Sequence, residues 1–542
     1  MNVSKRCAQV FALLGFSGLL FVACTSAPEN PGDACEVGGD ACPAGTACLA
    51  NADGDTVCLI TAGGVCDKTA DDPLCAPGTE CADDGTGKTL CLIPEGAACD
   101  PTLDDPHCIG DNVCAEVEGG GHACYPPVLV EGRVFDGLTD AGITGADVLG
   151  LDDQATVLTD VAVSGADGAY SLGLPVARKK DGSPVEITFT LRASAQDYAT
   201  FPSGLRTSLP IKTTGATKSD KGWIVKSPLT DISLLALPAG EKGRPSISGT
   251  VLAGDRSGGV LVVAEASPTS SFVGISDKTG AYRIFNVAPG SYTVNGYAAN
   301  LSLTPVMASV AGAPLTKIDL SPSSAGVGSI SGSVQIVNAP GGSRTSVVLV
   351  VESTFNTTFV RGEVPRGLRA PLSGAPSISG AFEIAGVPPG KYVVLAGFEN
   401  DGLVRDPDPN IAGTQIVHLT MPSPGANMSV PDSFKITEAL EILSPGASDP
   451  EGVTGAPTFR WKDDSSEDYY TLDVYDAFGN LVWNDPMVPK VTGGDVSATY
   501  GGPALEKGMY YQFRATSWRQ SGGKPPGAIS QTEDLRGVFF AE

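Results

Sequence analysis

The stretch GAYRIFNVAPGSYTV, residues 280–294, decides how this 542-residue chain is expected to fold. A close copy, GAFEIAGVPPGKYVV, occupies residues 380–394, and a shorter one, GAYSLGLPV, starts at Gly168. Each copy consists of short apolar runs broken by Gly, Pro or Asn, a pattern that indicates β-strands. The repetition therefore predicts three related β-modules.

The stretch itself reads as a strand, a turn and a second strand. Tyr282 and Ile284 alternate with small or polar residues, which is typical of a half-buried strand. Pro289 and Gly290 suit the two central positions of a type II turn. We expect a hairpin in which SYTV is the partner strand and Tyr292 faces the core.

Composition supports an all-β chain and excludes one class of partner. The chain has 68 glycines and 41 prolines, only 18% of its residues are charged, and short apolar runs recur without helical spacing. Its net charge of −26 argues against binding nucleic acid, because phosphate recognition needs a basic surface.

The first residues read as an export signal, residues 1–23, with a tether at 24–34. A positive start is followed by an uncharged apolar segment that ends FVAC, with Cys24 last. This ending resembles the bacterial lipoprotein signal, although Phe21 stands where Leu is usual. The resemblance implies cleavage before Cys24, its acylation, and attachment to the membrane of the cell envelope by a lipid anchor. Thr25 then favours the outer membrane or cell surface; the alternative is an ordinary signal peptide with a stray cysteine.

Twelve cysteines follow in three groups, 35–58, 66–91 and 99–124, of a cysteine-rich region at 35–126. The second and third groups share the spacing C-x8-C-x5-C-x9-C, and the first differs only in its opening gap, which is x6. An even number of cysteines behind an export signal predicts two disulfides per repeat, and four cysteines leave three pairings open. Zinc is disfavoured because no CxxC occurs. The cysteines are Cys35, Cys42, Cys48, Cys58, Cys66, Cys75, Cys81, Cys91, Cys99, Cys108, Cys114 and Cys124.

Acidic residues concentrate in and around these repeats. Residues 25–127 hold 19 Asp and Glu against two Lys, which favours a solvated spacer over an acidic binding surface. NADGD (51–55) reads as a hairpin tip and begins like a calcium loop, but it lacks the terminal Glu. DDSSED (463–468) and DPDPN (406–410) also offer oxygen ligands, so structural calcium is the one cofactor to consider, with solvated loops as the alternative.

Three later segments open alike, with VEGRVFDG, SISGTVLAG and SISGSVQIV, and each reaches one copy of the repeated stretch. These openings and the dGxYxixnvpPGxYxv-type stretch resemble the carboxypeptidase regulatory-like family. The resemblance implies seven-stranded, prealbumin-like sandwiches, a carbohydrate-binding-like fold, without the separate zinc peptidase domain. The expected sandwiches are 128–238, 245–321 and 328–422.

Residues 432–542 carry a different pattern. LEKGMYYQFRATSW resembles the fibronectin type III motif, which implies a fourth sandwich with Trp461 as its inward tryptophan and Tyr511 as its tyrosine corner. Trp483 and Trp518 lie near strand ends, where an exposed ring could stack on a sugar. The alternative for both is packing at the rim of the sandwich.

No catalytic residue and no metal site are expected. The three histidines, His107, His122 and His418, form no HExxH pattern, and the chain has neither a G-x-S-x-G elbow nor a phosphate-binding loop. The sequence thus predicts a non-enzymatic, lipid-anchored envelope protein that binds carbohydrate or another envelope protein. The alternatives are a structural spacer or assembly subunit and, less favoured, a hydrolase with an unrecognised carboxylate pair.

Overall fold

The structure is a computed structural model, and it describes most of the chain after residue 27. The predicted export signal, Cys24 and the DPDPN segment (406–410) lie outside the described residues. The described residues are 28–542 except 39–41, 71, 104, 153–156, 204–205, 207, 268–269, 338–344, 358–360, 373–376, 398–415, 431–433, 438, 521, 523–524 and 534–535.

β-Strands form nearly all the regular structure, which confirms the predicted all-β fold class. Within the described ranges there is no α-helix, and no helix could cross a membrane. The short 3-10 helices are Thr213–Gly215, Pro228–Thr230, Ala239–Glu241, Gly254–Arg256 and Glu352–Thr354.

The chain forms two compact units. The first contains the cysteine-rich region up to Val128 together with residues 175–185 and 217–223, and the second contains the remaining residues. Two short segments from the sequence range of the first predicted sandwich therefore belong to the cysteine-rich unit.

Each cysteine-rich repeat is a β-hairpin held by two disulfides. The strands are β1 (Thr46–Ala50), β2 (Thr56–Ile60), β3 (Glu80–Asp83), β4 (Thr89–Leu92), β5 (Val113–Glu116) and β6 (His122–Tyr125). In every repeat the first cysteine bonds the third and the second bonds the fourth, which resolves the pairing that the sequence left open. The bonds are Cys35–Cys48, Cys42–Cys58, Cys66–Cys81, Cys75–Cys91, Cys99–Cys114 and Cys108–Cys124.

Consecutive repeats are joined by the same backbone hydrogen bonds. The Ile60 N–H donates to the Leu74 carbonyl at 2.8 Å, and the Ile93 N–H donates to the His107 carbonyl at 2.8 Å. Leu74 and His107 hold the same position in the DDPxC motif, and both have positive φ, 57° and 58°. Because the same backbone hydrogen bonds join each repeat to the next, the three repeats form a continuous stack.

Arg178 packs on the third repeat, which has no further repeat after it. Its guanidinium donates to the carbonyls of Pro126 and Val176, each at 2.9 Å, and its backbone carbonyl accepts from the Glu118 N–H at 2.7 Å. The side chain is 1% exposed, and burial lowers the pKa of Arg178 to about 10. Since a terminal repeat needs a cap, we assign that role to the segment 175–185.

The first sandwich supplies one wall of the cleft discussed below. Its β7 pairs with β10 and β15, and its β8 pairs with β9 and β11, so these strands fall in separate sheets. The strands are β7 (Val128–Asp136), β8 (Asp147–Asp152), β9 (Ala162–Val163), β10 (Ala169–Gly173), β11 (Thr188–Ser194), β12 (Ile211–Lys212) and β15 (Ile232–Leu234). In the same sequence range, β13 (Thr217–Ser219) and the first residues of β14 (Gly222–Val225) belong to the cysteine-rich unit.

The second and third sandwiches repeat one arrangement. The second contains β16 (Ile247–Thr250), β17 (Leu261–Ser267), β18 (Ser270–Ile275), β19 (Ala281–Ile284), β20 (Gly290–Tyr297) and β21 (Val306–Val310). The third contains β22 (Gly328–Val337), β23 (Ser346–Val351), β24 (Arg369–Ala370), β25 (Ala381–Val387), β26 (Gly390–Gly397), β27 (Val417–Met421), β28 (Asn427–Ser429) and β29 (Phe434–Thr437). Both β28 and β29 pair with β22, although they follow the predicted domain end at 422.

The repeated stretch is not a hairpin, so that prediction was wrong. In the second sandwich β19 pairs with β16, whereas β20 pairs with β17 and β21 in the other sheet. The third sandwich has the same pairings, β25 with β22 and β26 with β23 and β27. The stretch therefore crosses from one sheet to the other, and its alternating apolar residues line the core from both sides.

The crossing turns at a residue other than the predicted Pro-Gly pair. Asn286 and Gly386 hold the same place in the two copies, and they have φ values of 57° and 71°. Only Gly and, more rarely, Asn adopt this left-handed region readily, which explains the choice of residues. After the crossing, the Tyr292 hydroxyl donates to the Ala288 carbonyl at 2.7 Å, and the Tyr392 hydroxyl donates to the Pro388 carbonyl at 2.8 Å.

The same crossing joins each sandwich to the one before it. The Asn286 amide nitrogen donates to the carbonyls of Ala195 and Tyr198, each at 2.9 Å, and the Asn286 oxygen accepts from the Asp197 N–H at 2.7 Å. One module later, the Asn300 N–H donates to the Gly386 carbonyl at 2.8 Å.

Strand β17 is buried on both faces, which fixes the second sandwich against the third. Val262 and Ala264 lie in the core of the second sandwich, while Leu261 and Val263 belong to the core of the third. Tyr297 and Tyr392 meet edge to face in that second core, with ring centroids 6.0 Å apart. Because no single sandwich contains all of this core, the second and third sandwiches form a single packed body.

The C-terminal sandwich has a three-stranded sheet, β30-β32-β35, and a larger sheet, β31-β38-β36-β33-β34, with β37 on β36. Its Trp461 is fully buried, and the Tyr511 hydroxyl accepts from the Glu506 N–H at 2.8 Å. The strands are β30 (Ile442–Ser444), β31 (Glu451–Val453), β32 (Thr458–Lys462), β33 (Tyr469–Asp476), β34 (Leu481–Pro489), β35 (Asp495–Thr499), β36 (Tyr510–Arg519), β37 (Gly527–Gln531) and β38 (Val538–Ala541).

Candidate functional site

Trp518 belongs to an aromatic pair on the outer face of the C-terminal sandwich. It lies directly across from Tyr469 on the neighbouring strand, with ring centroids 6.4 Å apart and ring planes 8° from parallel. The indole N–H donates to the Thr471 hydroxyl at 2.9 Å, which fixes the ring orientation. Because β33 alternates, Tyr470 enters the core while Tyr469 stays half-buried on the outside.

The acidic loop 463–468 adjoins this pair, so the structure brings together two features that the sequence singled out separately. The Asp468 N–H donates to the Trp518 carbonyl at 2.7 Å, and the Gln520 N–H donates to the Asp468 carboxylate at 2.7 Å. The Ser517 hydroxyl donates to Asp464 at 2.6 Å. We call the pair, Asp468 and Gln520 the aromatic–acidic corner.

Negative charge accumulates inside the loop. Both Asp463 and Asp464 accept hydrogen bonds, whereas the buried Glu467 Oε2 has no partner among the described residues. Burial, and then the charges of Asp463 and Asp464, raise the pKa of Glu467 above its ordinary value. Lys490 forms an ion pair with the loop, with its Nζ 3.5 Å from Asp468.

The structure does not gather the loop carboxylates around one point. Among the described residues, groups of three side chains whose ligand atoms converge occur at cysteines already joined in disulfides. In NADGD, the Asn51 side-chain oxygen accepts from the N–H groups of Asp53 and Asp55, as in an ordinary turn. Calcium therefore stays a hypothesis for the loop 463–468 and for DPDPN (406–410), which lies outside the described residues.

Trp483 lies elsewhere in the same domain. Its ring is half-buried, stacked near Phe459 at 6.4 Å and edge-on to Tyr500 at 5.2 Å, and its strand neighbour across β33 is the core residue Val474. It packs against the hydrophobic core, so its removal is expected to affect stability first.

Sequence reasoning missed a cleft between the first and second sandwiches. Asp147 on β8 faces it together with Arg283 on β19. No motif marks these residues, because they meet only when two modules pack.

No protein-family model matches the sequence, and no curated protein matches it. Solved structures that it matches include the TIE protein of Bacillus anthracis, at 10% identity and a TM-score of 0.13, covering 74% of this chain and 68% of that one. A DUF3823 family protein of Bacteroides ovatus matches at 9% identity and a TM-score of 0.18, covering 39% of this chain and 98% of that one. A form of the major pilin subunit of Bacillus cereus matches at 9% identity and a TM-score of 0.16, covering 56% of this chain and 99% of that one. These TM-scores are low, and no function is transferred from these proteins.

Proposed function

We propose that this chain is a non-enzymatic, lipid-anchored protein of the bacterial cell envelope that binds carbohydrate at the aromatic–acidic corner. The observation that carries the binding proposal is the Tyr469–Trp518 pair, two nearly parallel rings held half-buried on the outside of a sandwich. A ring face presents flat apolar surface to a sugar, and each stacked ring contributes on the order of 1 kcal/mol or more.

Polar groups suited to sugar hydroxyls border the rings. The exposed Asp468 carboxylate accepts hydrogen bonds, and Lys490 and the exposed Gln520 side chain donate them. The backbone bond from Gln520 to Asp468 holds the pKa of that carboxyl below its ordinary value. The acceptor is therefore ionised at neutral pH.

Anchoring rests on the sequence pattern at Cys24. In this proposal the acylated Cys24 binds the membrane. Intact-mass analysis of the mature N-terminus tests this part: diacyl- or triacyl-modified Cys24 is expected, and an unmodified Cys24 would contradict it.

Binding is tested with the purified chain on an array of envelope polysaccharides and peptidoglycan fragments. We expect retention on at least one glycan, strongly reduced in Trp518→Ala. Trp223→Ala removes another half-buried tryptophan from the other compact unit and serves as the matched control. No glycan retained by the folded wild-type chain, or equal loss in both variants, would overturn the proposal.

A structural role in an envelope assembly is the second candidate, and one observation favours it. The edge strand β34 of the C-terminal sandwich exposes two apolar side chains, Leu481 at 54% and Met487 at 59%. Edge strands can pair with a strand of another protein. Cross-linking in cells that recovers one stable protein partner, with no glycan bound, would favour this role.

A further inference from the structure

A cleft of about 590 Å³ lies between the first and second sandwiches, within one compact unit and away from the C-terminal domain. Its walls come from β8 and β11 on one side and from β16, β19 and the segment after β21 on the other. The charged and aromatic residues that matter here are Asp147, Asp277, Asp319, Arg283, Lys317 and Phe285.

Asp147 is the unusual group in this cleft. Its side chain is 16% exposed, and its Oδ1 is buried without a hydrogen-bond partner in the described part of the chain. Arg283 forms an ion pair with this oxygen, with its Nη1 3.6 Å away, but it lies just beyond hydrogen-bond distance and so leaves Oδ1 without a donated hydrogen bond. A buried carboxylate oxygen without a donor is unfavourable by itself, which points to a donor supplied from outside the chain.

The cations that line the cleft leave its negative charge only partly balanced. The Arg283 guanidinium lies over the Phe285 ring, 5.3 Å from its centroid, and is 44% exposed. Arg192, which also lines the cleft, makes two hydrogen bonds to Glu363, at 2.8 and 2.9 Å. Arg283 and Lys317 therefore face three carboxylates.

Two of those carboxylates accept hydrogen bonds from backbone N–H groups. Asp277 accepts the N–H groups of Thr279 and Ala281 through Oδ1, and Asp319 accepts the Thr250 N–H through Oδ1. These hydrogen bonds do not neutralise the two carboxylates, and the negative charge of Asp277 repels that of Asp147. An anionic ligand would meet this repulsion, whereas a cationic donor would relieve it.

We propose that the cleft binds a small ligand through a protonated primary amine that donates to Asp147. An ammonium group supplies three N–H donors and one positive charge, so it satisfies Oδ1 and offsets the excess of carboxylates in one contact. Amino sugars and polyamines carry this group, and the volume of the cleft accommodates a ligand of either kind. This site is separate from the aromatic–acidic corner and does not depend on it.

Calorimetric titration of the purified full chain with glucosamine, putrescine and N-acetylglucosamine tests the proposal. N-Acetylglucosamine keeps the sugar ring but has no ammonium group. In Trp518→Ala, which lacks the stacking ring of the corner, we expect binding of glucosamine or putrescine and none of N-acetylglucosamine at the same concentration. Binding of glucosamine alone would identify an amino-sugar site, and binding of putrescine would identify an amine site without ring recognition; both support the ammonium contact.

Asp147→Asn keeps the shape of the side chain and removes its charge, and we expect it to weaken amine binding at least tenfold. Asp255→Asn is the matched control, because Asp255 is an exposed carboxylate of the second sandwich outside the cleft lining. No amine bound by the wild-type chain, equal binding of N-acetylglucosamine and amine by Trp518→Ala, or unchanged amine binding in Asp147→Asn would each overturn the proposal. Trp518→Ala should leave amine binding intact, which separates this test from that of the proposed function.

Discussion

At the scale of single residues, Asp147 makes the stability of the chain depend on pH. Burial raises its pKa to about 6, so the folded chain holds the Asp147 proton more tightly than the unfolded chain does. The folded state then binds more protons between about pH 4 and 6, and the free energy of unfolding falls as pH rises through that window.

Asp147→Asn removes this penalty. At pH 7 we expect the variant to be more stable than the wild type by up to about 3 kcal/mol, with the difference vanishing near pH 4. Thermal unfolding at the two pH values measures it, with Asp255→Asn as the control. A stability difference that is the same at both pH values would show that Asp147 does not titrate as described.

Residues at the crossing show what the sequence could and could not predict. The alternation of Tyr282 and Ile284 identified a strand and its buried face correctly. It did not identify the pairing partner, because alternation records which side chains face a core and not which strand lies alongside. The position that holds Asn286 in one copy holds Gly386 in the other, and this pair of residue types was the sequence signal for a left-handed turn.

At the scale of elements, the disulfides hold repeats too small to bury a sufficient core. Cys75–Cys91 closes a loop with a sequence separation of 16, and Cys91 is fully buried beside Ile60 of the preceding repeat. Removing the pair by Cys75→Ala and Cys91→Ala should cost about 3 kcal/mol in the chain-entropy model.

Hydrogen exchange measures where that loss occurs. We expect faster exchange in residues 66–91 and at the link to Ile60, with exchange in the C-terminal sandwich unchanged. Protection of 66–91 equal to that of the wild type would contradict the structural role given to this bond.

The paired side chains of Arg192 and Glu363 connect β11 of the first sandwich to the third. The contact is bidentate, with both partners largely buried. Glu363→Ala leaves the guanidinium without its partner, and we expect a loss of roughly 2–4 kcal/mol. Glu383→Ala removes an exposed carboxylate from the same sandwich and should change the free energy of unfolding by less than about 0.5 kcal/mol. Denaturant unfolding compares the two; equal effects would show that the connection adds no stability.

At the scale of the whole molecule, the repeat produces interfaces as well as modules. The continuous apolar runs VLVVA (260–264) and SVVLVV (346–351) are buried along their length. A strand that is apolar on both faces has to be covered on both faces, so these runs were a sequence signal for packing between sandwiches. The Arg206 guanidinium adds a link to the C-terminal sandwich by donating to the Phe478 carbonyl at 2.6 Å.

The candidate corner was predictable only in parts. Trp518 and the loop 463–468 stood out by residue type, but they are about fifty residues apart, and only the pairing of β33 with β36 brings them together. Tyr469 was not singled out at all, because a tyrosine at a strand start is common and its ring partner is set by register. The cleft at Asp147 was beyond sequence reasoning, since it forms between modules.

The most direct test of carbohydrate binding at the aromatic–acidic corner is the affinity of the purified chain for its best array glycan, measured by titration calorimetry for three proteins. Loss of the stacked indole in Trp518→Ala should weaken binding roughly 5- to 150-fold, which corresponds to about 1–3 kcal/mol. Trp518→Phe, which keeps an aromatic face, should retain most of the affinity. Equal dissociation constants for the wild type and a folded Trp518→Ala would contradict the account.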